Sequence, residues 1–187
     1  MSGNFVIEEN GVVRVSGTLP EAVAGKAPDL SVALRAFIAA LNQVREVYGR
    51  LVADDGRLIG QERFQLLGAI EAALNTLIPV RQILAGDDDF TAFSTKYDYR
   101  LRIRIKNKRW QAIGRISTQH RLRLDDFGLW INRLTHERLA GLIRFLGQAL
   151  ADGKIDSKEK IVLERSVDRM IFSLLFVREG ISRGEIA

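Results

Sequence analysis

Cysteine is absent from this chain of 187 residues, which excludes disulfides and thiolate metal sites and implies no oxidising compartment. Histidine occurs only as His120 and His136, neither with a carboxylate at metal-ligand spacing; both read as structural or solvated. Nucleophilic catalysis would need a serine or threonine beside one of them. Neither a G-x-S-x-G elbow nor a glycine-rich phosphate loop is present. Long hydrophobic runs are lacking too: no stretch approaches the ~18 apolar residues that span a bilayer. The opening MSGNFVIEENG has no basic segment followed by an apolar run, so it does not read as a signal peptide. The expectation is a cytoplasmic, non-enzymatic protein with no cofactor, no metal and no membrane contact.

Hydrophobic residues make up 47% of the chain and charged residues 27%, enough for a sizeable core. The charge is unevenly placed. Between Lys96 and Arg123 stand ten Lys or Arg residues against one acid, Asp98, whereas the rest of the chain has 18 basic and 22 acidic residues. A concentrated cationic surface points to a polyanionic partner.

Period and punctuation divide the chain into four segments. In FVIEENGVVRVS, Asn10-Gly11 between two β-branched runs predicts a hairpin, because a type I′ turn needs φ > 0 at both central residues. Gly17 to Pro28 is a connector, which closes an N-terminal unit at 1–28. The second segment, 29–86, is a helical hairpin. Leu34, Phe37, Leu41, Val44, Tyr48 and Leu51 step by three and four along a helix from Ser31 to Ala53, and a second helix runs from Gln61 to Leu84. Pro79 should bend that second helix, since it lacks the amide that would bond back to Asn75.

The third segment, 87–124, opens on the acidic turn cluster Asp87-Asp88-Asp89 and contains the cations. Arg100, Arg102, Arg104 and Lys106 alternate with Leu101, Ile103 and Ile105, so a strand puts cations on one face and aliphatics on the other. A turn at Asn107–Arg109 and a return strand from Trp110 to Ser117 complete a basic β-hairpin. In the fourth segment, 125–187, Asp125-Asp126 cap a short helix through Leu134. Thr135 caps a helix from His136 to Ala151, and a last helix runs from Ser157 to Ile181.

The second and fourth segments resemble each other. DGRLIGQER at Asp55–Arg63 matches DGKIDSKEK at Asp152–Lys160, 97 residues later. The offset continues as Leu66, Ile70, Ala73, Leu77, Val80 and Leu84 fall opposite Leu163, Val167, Met170, Leu174, Val177 and Ile181, with Arg81 opposite Arg178. Each unit is a helical hairpin turning at Asp-Gly, where glycine takes the left-handed conformation. Asp156 and Glu159 form a capping box for the second copy, while the first has Ile59 at the cap position. The fold class is therefore α+β and mainly helical. Two repeated helical hairpins form a four-helix core, with an N-terminal β-hairpin and a central basic β-hairpin.

The string ADGKIDSKEKIVLE resembles the A-D-G-x-I-x-x-x-E turn of the TerB-like helical proteins and a turn in prophage regulatory proteins of the CII type. The resemblance covers about fifteen residues, repeated. It implies a helical scaffold and a phage or mobile-element origin, and brings no catalytic residues. The same turns also match the second half of an EF-hand loop. Gln148 and Leu150 in one copy, and Leu51 and Ala53 in the other, stand where the first two ligands belong, which speaks against calcium.

The leading expectation is a nucleic-acid-binding regulatory protein. Its contacts would be Arg100, Arg102, Arg104, Lys106, Lys108, Arg109, Arg115, Arg121 and Arg123 on phosphates, with Trp110 or Tyr99 against sugar or base. The alternative is a non-enzymatic interaction protein, such as a phage-encoded inhibitor that sets the basic hairpin on an acidic protein surface. A third reading is a metal-dependent nuclease using Asp87-Asp88-Asp89 or Asp125-Asp126. A solvated face, an edge strand guarded against pairing, and docking on the acid-rich remainder of the chain are further readings of the cations. The helical stripes and exposed strands suit a homodimer.

Overall fold

The computed structural model describes residues 6–7, 13–14, 27–54, 58, 60–86, 89–94, 99–106, 109–113 and 124–182. The fold is mainly helical. Strands β1 (Val6–Ile7) and β2 (Val13–Arg14) pair antiparallel, with Val6 opposite Arg14 and Ile7 opposite Val13. The Asn10-Gly11 turn and the connector up to residue 26 lie outside the described residues.

Helix α1 (Pro28–Asp54) begins earlier than the Ser31 expected from the stripe, because proline suits the first helical turn, where amides have no partner anyway. Its stripe is the expected one: Leu34, Phe37, Leu41, Val44 and Leu51 are buried and Tyr48 half-buried. Helix α2 (Gln61–Ala85) contains Pro79 and ends at Gly86, whose left-handed φ of 72° lets its N–H donate to the Gln82 carbonyl. The Asp-Gly turn between α1 and α2 lies outside the described residues.

The central sheet differs from the expected hairpin. It has three antiparallel strands in the order β3 (Asp89–Ser94), β4 (Tyr99–Lys106), β5 (Arg109–Ile113). Asp89, expected in a turn, instead opens β3, pairing with Arg104 across the ladder. The Phe90-Thr91-Ala92-Phe93 run supplies the β-formers that the acid cluster concealed.

A second difference follows Leu124. Asp125 and Asp126 fall inside helix α3 (Leu124–Arg133) rather than capping it. Thr135 does not cap a new helix either. It is wholly buried, and its hydroxyl donates to the Ile131 carbonyl at 2.9 Å, so the chain runs on through a π-helical turn (Leu134–Leu139) into α4 (Ala140–Ala151). The turn after α4 is as expected. Gly153 takes φ 102°, and its N–H donates to the Leu150 carbonyl. Asp156 Oδ1 accepts from the Glu159 amide at 2.8 Å while Glu159 Oε2 accepts from the Asp156 amide at 2.9 Å. This capping box starts α5 (Ser157–Ser182).

Helix α2 packs against α1 on one side and α5 on another, and α5 also carries β3 and α4. One hydrophobic cluster joins them, from Phe37 and Leu41 through Leu74 and Leu77 to Phe127, Phe172 and Leu174. Two ion pairs set α2 and α5 antiparallel. Arg81 Nε donates to Asp168 Oδ1 at 2.7 Å, and Arg178 Nε to Glu71 Oε2 at 2.6 Å. The first pair is buried, with Arg81 6% and Asp168 4% exposed; the second is about one-third exposed. Burying both charges costs desolvation, which their pairing offsets, with Glu164 Oε1 a further 4.0 Å from Arg81 Nη1. Replacing Arg81 by Met should therefore lower the unfolding free energy by about 3–5 kcal/mol in a urea titration, because Asp168 is left charged in the core. Adding Asp168→Leu should recover most of that loss, whereas equal losses in both variants would contradict the pairing.

Candidate nucleic-acid interface

In β4 the residues Arg100, Arg102, Arg104 and Lys106 occupy alternate positions, with Ile103 between them at the centre of the strand. Ile103 is completely buried in the core cluster, and Arg102 and Arg104 on either side of it are exposed. A pleat of period two thus turns the sequence alternation into two unlike faces. Residues directly opposite in an antiparallel ladder share a face. Arg104 faces Gln111 of β5, and Lys106 faces Arg109; the side chains of Gln111 and Arg109 are exposed. On the β3 side Thr91 stands opposite Arg102 and Asp89 opposite Arg104.

The aliphatic face is fastened to the helices through Trp110. Opposite Ile105 in the ladder, half-buried Trp110 packs against the core, and its indole N–H donates to Asn75 Oδ1 on α2. The Arg178 guanidinium of α5 lies 5.8 Å from the centroid of the same ring while it pairs with Glu71. One aromatic side chain therefore ties β5 to both α2 and α5, with a cation–π contact worth about 0.5–1 kcal/mol beside the hydrogen bond. This placement differs from the expectation that Trp110 packs on a sugar or base. Odd and even positions of β5 face opposite ways, and Trp110 shares its face with the buried side.

The sheet order bears on what the cations do. A strand that guards an edge carries lysine or arginine where another chain could pair. β4 is central, hydrogen-bonded on both sides, so its cations guard no edge. They form a row along the middle of an open sheet face. Successive cation positions lie about 6.6–6.8 Å apart, twice the rise per residue. Such a row offers guanidinium donors to a line of anionic groups.

Of the other expected contacts, Lys108, Arg115, Arg121 and Arg123 lie outside the described residues, as does the Gly114–Ser117 part of the return strand; for Arg100, Lys106 and Tyr99 only the strand position is described. Among the described residues no group of three His, Asp or Glu side chains could hold a metal ion, and no helix is long and apolar enough to cross a membrane. Asp87 and Asp88 are outside the described residues, and Asp89 is the start of β3.

Two polar features of the core were missed from sequence. Asp168 stands in the helical stripe of α5, and its partner Arg81 was noticed only for its match with Arg178. The signal was available, since Glu71 and Asp168 are also 97 residues apart. Arg45 stands four residues after Leu41, within the apolar stripe of α1, and is buried. No protein-family model matches this chain, and neither a curated protein nor a solved structure is significantly similar to it.

The two faces should respond differently to substitution. Trp110→Ala removes the clamp and should cost about 2–4 kcal/mol of stability by chemical denaturation. Arg102→Gln and Arg104→Gln, on the exposed face, should each cost no more than about 1 kcal/mol. A large loss from either arginine variant would show that the row is structural.

Proposed function

We propose that the chain is a non-enzymatic, nucleic-acid-binding regulatory protein that presents the basic face of β4 to phosphates. The observation that carries this reading is the row of cation positions on a central strand, with Arg102 and Arg104 exposed and Ile103 between them buried in the core. Arg102 and Arg104 are exposed and the strand that carries the row is central, so the row is unneeded for edge protection, which suits a charged template. Arg102, Arg104 and Arg109 are the described contacts; Arg100, Lys106 and Lys108 extend the row along the chain, and Arg115, Arg121 and Arg123 follow it. Trp110 has no part in this surface. The resemblance of the Asp-Gly turn to CII-type prophage regulators supports a mobile-element origin.

Exchange of Arg100, Arg102 and Arg104 for Glu should abolish binding of DNA and RNA in fluorescence anisotropy while circular dichroism stays unchanged. In wild type, log Kobs should fall linearly with log salt, with a slope of about −0.9 for each phosphate neutralised. Single replacements by Ala should each make that slope shallower by about one. Salt-insensitive binding, or full binding by the triple variant, would contradict the proposal. Capture of an acidic protein by wild type alone, without nucleic-acid affinity, would instead favour a protein-directed inhibitor.

We further infer that α1–α2 and α3–α5 are two copies of one hairpin, related by a two-fold axis. Under a shift of 97 residues the buried set Leu66, Ile70, Leu74, Leu77 and Ile78 becomes Leu163, Val167, Ile171, Leu174 and Leu175, every one buried. The exposed apolar residues follow as well: Val32 maps to Leu129 and Phe64 to Ile161. The two ion pairs exchange with each other, since Arg81–Asp168 maps onto Arg178–Glu71, as contacts do in a two-fold interface.

The first helices of the two copies match once one extra residue is allowed. Leu30, Leu34 and Phe37 map to Phe127, Ile131 and Leu134 at 97, but Leu41, Val44 and Leu51 map to Leu139, Leu142 and Ala149 at 98. The change falls within the π-helical turn Leu134–Leu139, and a π turn is what one inserted residue makes of an α-helix. The offset returns to 97 because the first turn reads Asp54-Asp55-Gly56 and the second only Asp152-Gly153. Deleting Glu137 should thus restore a regular helix and leave a cooperatively folded protein. Deleting Gln43 from α1 turns every later stripe residue by about 100° and should unfold it. Equal damage from both deletions, read by thermal unfolding, would count against the duplication.

A further inference from the structure

A second polar site lies at the seam between α1 and α3. Tyr48 and Phe127 meet there with ring centroids 4.9 Å apart. One turn away, Arg45 is only 4% exposed. Its Nη2 donates to Asn132 Oδ1 at 3.5 Å, the outer limit of a hydrogen bond. Its Nε and Nη1 are buried without a hydrogen-bond partner, and so is Oδ1 of Asn42, one turn earlier on α1. Burial pushes the guanidinium down to about 10, so the group stays charged at neutral pH.

A buried cation with two idle donor nitrogens is costly unless something supplies negative charge. The surroundings are unusual in the same place. The π-helical turn begins just after Asn132 and Arg133, and such turns concentrate at functional sites. The positions 98 residues after Asn42 and Arg45 are Ala140 and Ile143, both buried and apolar. The core of this fold can therefore be built without the polar pair. Asn42 is half-buried, which puts one end of the seam at the surface.

We propose that Arg45, with Asn42 and Asn132, forms a binding site for a small phosphate-type oxyanion. The guanidinium donates to anionic oxygens, and the inward carbonyl oxygen of Asn42 accepts from a protonated one. Hydrogen phosphate has both kinds of oxygen, whereas sulfate at neutral pH has only acceptors. This site is separate from the basic sheet, and its occupancy is independent of nucleic-acid binding.

Thermal unfolding in inorganic phosphate, against sulfate and chloride at equal ionic strength, tests the proposal. Wild type should gain about 4 °C at ten times Kd. The sheet variant R102E/R104E should keep that gain, Arg45→Met should lose it, and sulfate should give less. A gain that survives Arg45→Met, that vanishes with the sheet variant, or that chloride reproduces would overturn the site. Should Arg45→Met not fold, the Arg45 Nε resonance of wild type decides. A saturable shift on phosphate titration supports the site, and an unmoved resonance removes it.

Discussion

The antiparallel contact of α2 and α5 is the constraint on which the remaining elements depend. Both helices carry a long buried apolar stripe, and apolar packing by itself specifies position weakly. The buried Arg81–Asp168 pair does not. A slip of one turn would part Arg81 Nε from Asp168 Oδ1, now 2.7 Å away, and leave that carboxylate buried without this partner, a penalty of several kcal/mol. The partly exposed Arg178–Glu71 pair repeats the lock at the other end, where solvent screening makes it worth about 0–1 kcal/mol. Packing therefore holds α2 and α5 together, and the buried pair fixes where along their length they meet. Further elements are placed against this pair: α1 on α2, α4 and β3 on α5.

The weaker of the two ion pairs has a second role. Arg178 pairs with Glu71 and also lies over Trp110, while Asn75, one turn after Glu71, accepts the indole N–H. The sheet is thus seated on the same helix pair that organises the core. Ile103 enters the core from the middle strand, and Arg102 and Arg104 are turned outward by the pleat. A row of like charges repels itself, and its position is held by neutral packing beneath it. That division of labour underlies the proposed function: apolar residues on one face supply the rigidity, and the cations on the other supply the attraction.

Much of this was legible in the sequence, for identifiable reasons. Stripes of period 3.6 marked α1, α2 and α5, and alternation of period two marked β4, because those periods follow from backbone geometry alone. The Asp156–Glu159 capping box and the left-handed Gly153 were legible because they are local. Features that depend on distant partners were not. β3 was hidden behind an acidic cluster, since Asp89 joins a strand whose ladder partner, Arg104, lies 15 residues away. Thr135 resembles a cap, but burial directs its hydroxyl back to Ile131. Trp110 suggested a stacking platform, yet the neighbours that claim it, Asn75 and Arg178, lie 35 and 68 residues away. The π-helical turn Leu134–Leu139 is likewise a feature that no propensity reveals.

The central claim is that the basic face of β4 and β5, rather than any helical surface, contacts nucleic acid. Amide chemical-shift mapping during titration with a short DNA duplex and a single-stranded RNA tests it most directly. Shifts concentrated at Arg102, Arg104, Arg109 and Gln111, and reduced by raised salt, are the expected result. Shifts confined to helices α1, α2 and α5, or none at all at low ionic strength, would contradict it.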